Sequence, residues 1–228
     1  MKKARPNFGS EASRHPSRRE RRSVETREKL FRAALVLFGE KGFTDTTVED
    51  ITEAADVGKG TFFNYFPSKE HILMAFGEMQ IGRLEAFVKA SHESAEPLST
   101  QLRDLIARMT AEPVRNPAII RAIIQANLSS SRVREGMIRL HERNLGLLSQ
   151  LIQQGQERGE VRKDLPAVQI AQAWRQLIFG TLLFWSLFGD DTLPERIESA
   201  FRVLWDGVAA RADEVAQTEK SIGRGDRR

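Results

Sequence analysis

The chain has 228 residues, 40% of them hydrophobic and none of them cysteine. That is enough apolar material for one large domain or two that share a core, and the missing cysteine excludes disulfides, thiolate zinc sites and cysteine nucleophiles and fits a reducing cytoplasm. The net charge of +4 is uneven: residues 1–22 carry eight Lys/Arg against two acidic residues, residues 216–228 carry four against two, and the span between is mildly acidic.

A basic arm on such a body suits a polyanion such as DNA; a solvated tail is the other reading of the same charges. No apolar stretch follows the basic N-terminus, so no signal peptide is expected. The longest apolar run, 177–188, contains Gly180, Thr181 and Ser186 and is about half the ~20 residues of a membrane span. A cytoplasmic protein is expected. The four histidines are far apart, so no metal or cofactor is expected.

Residues 1–22 mix Ser, Pro, Arg and Lys without periodicity and are expected to be disordered. Beyond them helical periodicity dominates. A first helix is predicted over 26–41, with Leu30, Ala33, Ala34, Leu37 and Phe38 on one face and Gly42 as a left-handed cap. Thr47 reads as an N-cap, with Asp50 completing a near capping box. The second helix turns Val48, Ile51, Ala54 and Ala55 inward. Asp56, Val57 and Gly58 break it, and a short helix follows over 59–66, ended by Pro67. Longer helices are predicted near 69–94, 98–111, 117–129, 132–158, 166–188 and 193–215, separated by Pro- and Gly-containing breaks.

Two short helices joined by a tight turn, braced by a preceding helix, form a unit that can lay its last helix in a major groove. Residues 26–73 resemble the DNA-binding domain of the TetR family of regulators. The matching residues are Leu37-Phe38, Gly42-Phe43, Thr46-Thr47-Val48, Ile51, Ala54-Ala55, then 57–61 (Val-Gly-Lys-Gly-Thr) and 65–70 (Tyr-Phe-Pro-Ser-Lys-Glu). Further on, Gly155-Gln156, Gly159-Glu160 and the apolar helix ending near Trp185 resemble the family more loosely. Asp56 stands where relatives usually carry Gly; Asp tolerates a left-handed conformation, so the turn is expected to survive.

The resemblance implies an all-α protein: a basic disordered arm (1–23), a helix-turn-helix domain (24–84, motif 47–66), a helical effector-binding and dimerisation domain (85–215) and a disordered tail (216–228). It also implies DNA contacts. Thr47 can donate to a phosphate at its helix N-terminus, besides acting as a plain cap. Val48 offers only a backbone N–H or a methyl. Lys59 reaches a phosphate or a guanine edge, Gly60 allows close backbone approach, and Thr61 can meet a thymine methyl. Phe62 and Phe66 are assigned to the core, Phe63 and Asn64 to the outside. Asn64 is the candidate for base readout. Tyr65 and Lys69 are assigned to phosphates.

The family implies a homodimer on a palindromic double-stranded operator, and repression relieved by an unidentified small-molecule effector. The apolar faces Ile170, Trp174, Ile178, Thr181, Trp185, Phe188 and Ile197, Phe201, Leu204, Trp205, Val208 are expected to form a four-helix dimer interface. Met109, Trp174, Phe179 and Phe184 are pocket candidates, although aromatic residues at helical spacing more often belong to a core. An enzyme is not expected: there is no glycine-rich phosphate loop, no HExxH and no nucleophile elbow. The alternative is a ligand-independent architectural or cell-division DNA-binding protein on the same fold.

Overall fold

The computed structural model describes residues 17–188 and 192–210, apart from the side chains of 112–115. Within them the chain forms nine helices: α1 (Arg18–Glu40), α2 (Val48–Ala54), α3 (Lys59–Tyr65), α4 (Glu70–Ser91), α5 (Leu98–Arg115), α6 (Ala118–Ser129), α7 (Ser131–Glu157), α8 (Ala167–Phe188) and α9 (Leu193–Val208). No helix among the described residues is long and apolar enough to cross a membrane.

α1 starts eight residues before the predicted position, so residues 18–23 are helical rather than part of a disordered arm. The cause is a capping box. Ser17 Oγ accepts from the Glu20 N–H at 3.2 Å, and the Ser17 N–H donates to Glu20 Oε2 at 2.6 Å. Residues 1–16 of the expected arm, and the expected tail, lie outside the described residues. α9 also departs from expectation. It ends at Val208, and the chain then pairs Ala209 with Val161 in an antiparallel bridge. Arg162 N–H donates to Val208 O at 2.9 Å and Ala210 N–H to Glu160 O at 3.0 Å, tying the α7–α8 loop to the end of α9.

Two apolar cores meet along α4. Leu30, Ala34 and Phe38 of α1 pack with Ile51, Phe62, Ile72 and Phe76, and with Ile119, Ala122 and Ala126 of α6. Leu84 and Val88 of α4 instead join Leu102, Leu151, Ile170, Trp174 and Phe201. The expected domain boundary at residue 84 therefore falls inside a continuous helix, and the core of the helix-turn-helix extends onto α6. α4 and α7 pack closely because Gly77 lacks a side chain; a Cβ there would collide with Leu140.

A candidate nucleic-acid interface

The helix-turn-helix is set by local chemistry. Thr47 Oγ1 accepts from the Asp50 N–H at 3.1 Å, and Asp50 Oδ2 accepts from the Thr47 N–H and hydroxyl, each at 2.8 Å. Lys41 Nζ pairs with the other carboxylate oxygen at 2.8 Å. That pairing, with the Thr47 bonds, holds the Asp50 carboxyl well below the usual carboxylate range. Gly42 takes a φ of 84° at the end of α1 and Asp56 a φ of 53° between α2 and α3. Both are left-handed, as their positions require. Val57 N–H donates to Thr52 O at 3.0 Å and closes the turn.

α3 is anchored from behind and bare in front. Phe62 is 0% exposed and Phe66 2%; each buried ring contributes about 1.5–3 kcal/mol through apolar burial. Phe63 is 49% exposed, its ring edge-on to Phe62 at 5.4 Å. Lys59, Gly60 and Asn64 are exposed, and Thr61 and Tyr65 are partly buried. Nothing stands within 4 Å of where a Gly60 Cβ would lie, so this glycine leaves open surface. The Lys59 ammonium pairs with Glu49 of α2 and lowers the pKa of that carboxyl. Thr47 is exposed, and Val48 is half-buried against the core.

Besides Thr47 and Lys59, two further side chains have partners within the chain. Tyr65 Oη donates to Ser23 Oγ at 3.2 Å. Lys69 is the other. Its ammonium donates to the carbonyls of Phe43, Thr44 and Thr46 at 2.7, 2.9 and 2.8 Å and sits 4.7 Å from the centre of the Phe43 ring. All three N–H bonds are used inside the chain, and burial lowers the pKa of the amine. In this structure Lys69 therefore clamps the α1–α2 loop.

The first turns of α1 add what periodicity did not reveal. Arg18, Arg19, Arg21 and Arg22 are exposed there. Ser23 touches Tyr65, and the Arg27 guanidinium lies 5.1 Å from the Phe66 ring centre, so this basic end flanks α3. Cations at a helix N-terminus oppose the macrodipole, and an anion beside them relieves that conflict. The pattern Ser17-x-x-Glu20 was the available signal for a helix here.

The four pocket candidates are not brought together. Met109 lines a cleft of about 790 Å³ between α4 and α5. Phe179 lines a cavity of about 570 Å³ between α4, α6, α7 and α8. Phe184 is exposed on the outer surface of α8. Trp174 is core, edge-on to Phe201 at 5.3 Å. The residues of the expected dimer face divide: Phe188 is exposed, whereas others face inward. Ile170, Trp174, Trp185, Phe201 and Val208 are buried within the chain, because α8 and α9 pack on each other and α8 also packs on α7. The exposed apolar side chains of these helices include Phe184, Leu187, Phe188 and Val203.

An all-helical chain that presents a short, anchored helix beside a basic helix end is a helix-turn-helix DNA-binding protein. Residues 30–76 match the family model described as bacterial regulatory proteins, tetR family. The chain is 31% identical over 146 residues to the HTH-type transcriptional repressor DhaR of Mycobacterium sp. (strain GP1), covering 61% of this chain and 71% of that protein. It is 30% identical over 146 residues to the HTH-type transcriptional regulator TcmR of Streptomyces glaucescens, covering 62% of this chain and 59% of that protein. Among solved structures, it resembles a TetR-family regulator of Syntrophomonas wolfei with a TM-score of 0.68 at 25% identity, over 79% of this chain and 93% of that one. It also resembles Thermus thermophilus FadR in complex with lauroyl-CoA with a TM-score of 0.59 at 28% identity, over 81% and 96%. The chain belongs to the TetR family of transcriptional regulators.

Proposed function

We propose that this chain is a dimeric repressor that occupies a palindromic operator and leaves it when a small molecule binds the helical body. One observation carries the reading: α3 exposes Phe63 and Asn64 while Phe62 and Phe66 fix it to the core. A rigid helix with a bare polar and aromatic face is what groove insertion requires. Asn64 reads an adenine in bidentate fashion, Thr61 and Phe63 meet thymine methyls, and Gly60 permits close approach. Lys59, Thr47 and Tyr65, released from Glu49, Asp50 and Ser23, position the backbone, with Val48 in apolar contact and the α1 arginines on flanking phosphates.

Such a short helix reads only a few base pairs, so two copies about 34–36 Å apart are needed. The exposed apolar surface of α8 and α9, with the Phe184 and Phe188 rings stacked at 6.3 Å, is the surface a second copy would cover. Several relatives are named as repressors, DhaR among them, and the FadR relative was solved with a bound acyl thioester; these support repression and effector release here. The test is a mobility shift on the region upstream of the chain's own gene. Asn64→Ala is expected to relax specificity at one base pair per half-site, at about 1–3 kcal/mol. Equal loss on every sequence would remove Asn64 from base readout.

A further inference from the structure

The cavity between α4, α6, α7 and α8 has a volume of about 570 Å³, within the usual range for small-molecule sites. Its walls are largely apolar, with Ile81, Ile124, Met137, Leu140 and Phe179 among them. Asn144 of α7 and Arg175 of α8 also line it. Asn144 Oδ1 and Arg175 Nε and Nη1 are buried and have no hydrogen-bond partner among the described residues.

Buried guanidinium nitrogens without an acceptor are costly. Elsewhere in the chain arginines meet acids: Arg143 bridges Glu78 and Glu85 at 2.7 and 2.9 Å, and Arg108 pairs with Asp104 at 2.8 Å. Among the described residues no acidic side chain lines this cavity. The positive charge is felt at His141, another lining residue, whose pKa is lowered first by burial and then by Arg175. The larger cleft between α4 and α5 differs. Its Asp104 and Arg108 pair with each other and its Gln101 with Ser91, so those polar groups are already matched.

We propose that this cavity is the effector site and that it takes an organic monocarboxylate with an apolar body. One carboxylate oxygen accepts a charge-assisted N–H bond from Arg175. One guanidinium balances one negative charge, which favours a carboxylate over a dianionic phosphate. Asn144 offers its oxygen to a ligand hydroxyl or, with the amide turned over, an N–H to the carboxylate. The apolar walls take the rest of the molecule. The assignment rests on the regulator reading above and names its ligand class. It also has a route to the DNA side. Ile123 and Ile124 of α6 line the cavity, and the next residue, Gln125, accepts a hydrogen bond from Phe43 at the end of α1.

The experiment uses the whole chain, with titration calorimetry and thermal melting against sodium decanoate, 4-phenylbutyrate, their matched alcohols and lauroyl-CoA. At least one carboxylate is expected to bind and raise the melting point, with its alcohol weaker by about tenfold or more. Arg175→Met is expected to erase that preference. Arg175→Gln, shorter and still polar, serves as a second variant should the first fold poorly. Without ligand, Arg175→Met should melt higher than the wild type, because two buried N–H groups without an acceptor are gone. Equal binding of acids and alcohols, an undiminished preference in both variants, binding of lauroyl-CoA alone, or no binding by any probe overturns the assignment. Each variant is also tested for operator binding without ligand. Intact DNA binding with no carboxylate preference removes only the cavity assignment; no DNA binding by the wild-type chain removes the regulator reading.

Discussion

The backbone N–H of Phe43 donates to Gln125 Oε1 at 2.9 Å, joining residues 82 positions apart. Phe43 follows Gly42, where α1 has ended and the chain has turned left-handed, so this N–H has no helical acceptor. Gln125 supplies one from α6. Asn116 Nδ2 donates to Leu35 O at 3.2 Å alongside it. The helix-turn-helix is thus fastened to α6 and the residues just before it by side-chain-to-backbone hydrogen bonds as well as by apolar packing.

Gln125→Leu removes the acceptor and keeps the volume. The expected loss is about 1 kcal/mol for a partly buried N–H left unpaired. The local sign is faster hydrogen exchange at the Phe43 amide than in the wild type. An unchanged exchange rate at that amide would show that the side chain does not hold it.

Lys69 makes a second fastening, and it separates stability from DNA contact. Lys69→Met keeps the apolar stem and removes three hydrogen bonds to the 43–46 loop. Loss of roughly 1–3 kcal/mol is expected, since the carbonyls lose a charged donor. The dependence of operator affinity on salt should keep its slope, because no phosphate contact is lost. A slope reduced by about one unit would restore Lys69 to the phosphates.

What was legible in the sequence, and what was not, divides by range. The α2–α3 unit was readable because its signals are local: Thr47 and Asp50 are three apart, Asp56 and Gly58 mark the turn, and Phe62 and Phe66 share a face. The start of α1 was hidden because an Arg-rich run reads as disordered by composition, while its capping box is only one pair of side chains. The role of Lys69 was not readable, because its acceptors are backbone carbonyls more than twenty residues away. Nor was the cavity: Asn144 and Arg175 lie on different helices, and nothing in either segment announces that their polar atoms meet no partner. Trp174 and Phe201 show a further limit, because an apolar stripe looks the same whether it faces its own core or a second subunit.

The capping box predicts a response to acid. The Asp50 carboxyl titrates below its value in an unfolded chain, about 3.9, because of Lys41 and then Thr47. Its contribution is therefore present above that unfolded pKa and fades as pH falls through the lower folded value. Asp50→Asn should reduce the urea midpoint of the wild type at pH 7, with a difference that narrows as the pH is taken from about 5 toward 2. A difference independent of pH over that range would place the effect in the helix cap geometry rather than the charge.

α8 and α9 carry two apolar surfaces, and substitutions on each separate assembly from folding. Val203 is 71% exposed and Phe188 69%, whereas Trp174 is 3% exposed and locked against Phe201. Val203→Glu adds a charge to the outer surface without disturbing the chain's own packing. Sedimentation should then report a single subunit with native helical content. Affinity for a two-half-site operator should fall steeply, because the second recognition helix is no longer held in register. Trp174→Ala empties part of the inner core at a cost of about 3–5 kcal/mol and should lower the melting point before it alters assembly. If Val203→Glu left a stable dimer, the subunits would have to meet through a different surface. The α3 helices would then need another means of reaching two half-sites on one face of the duplex.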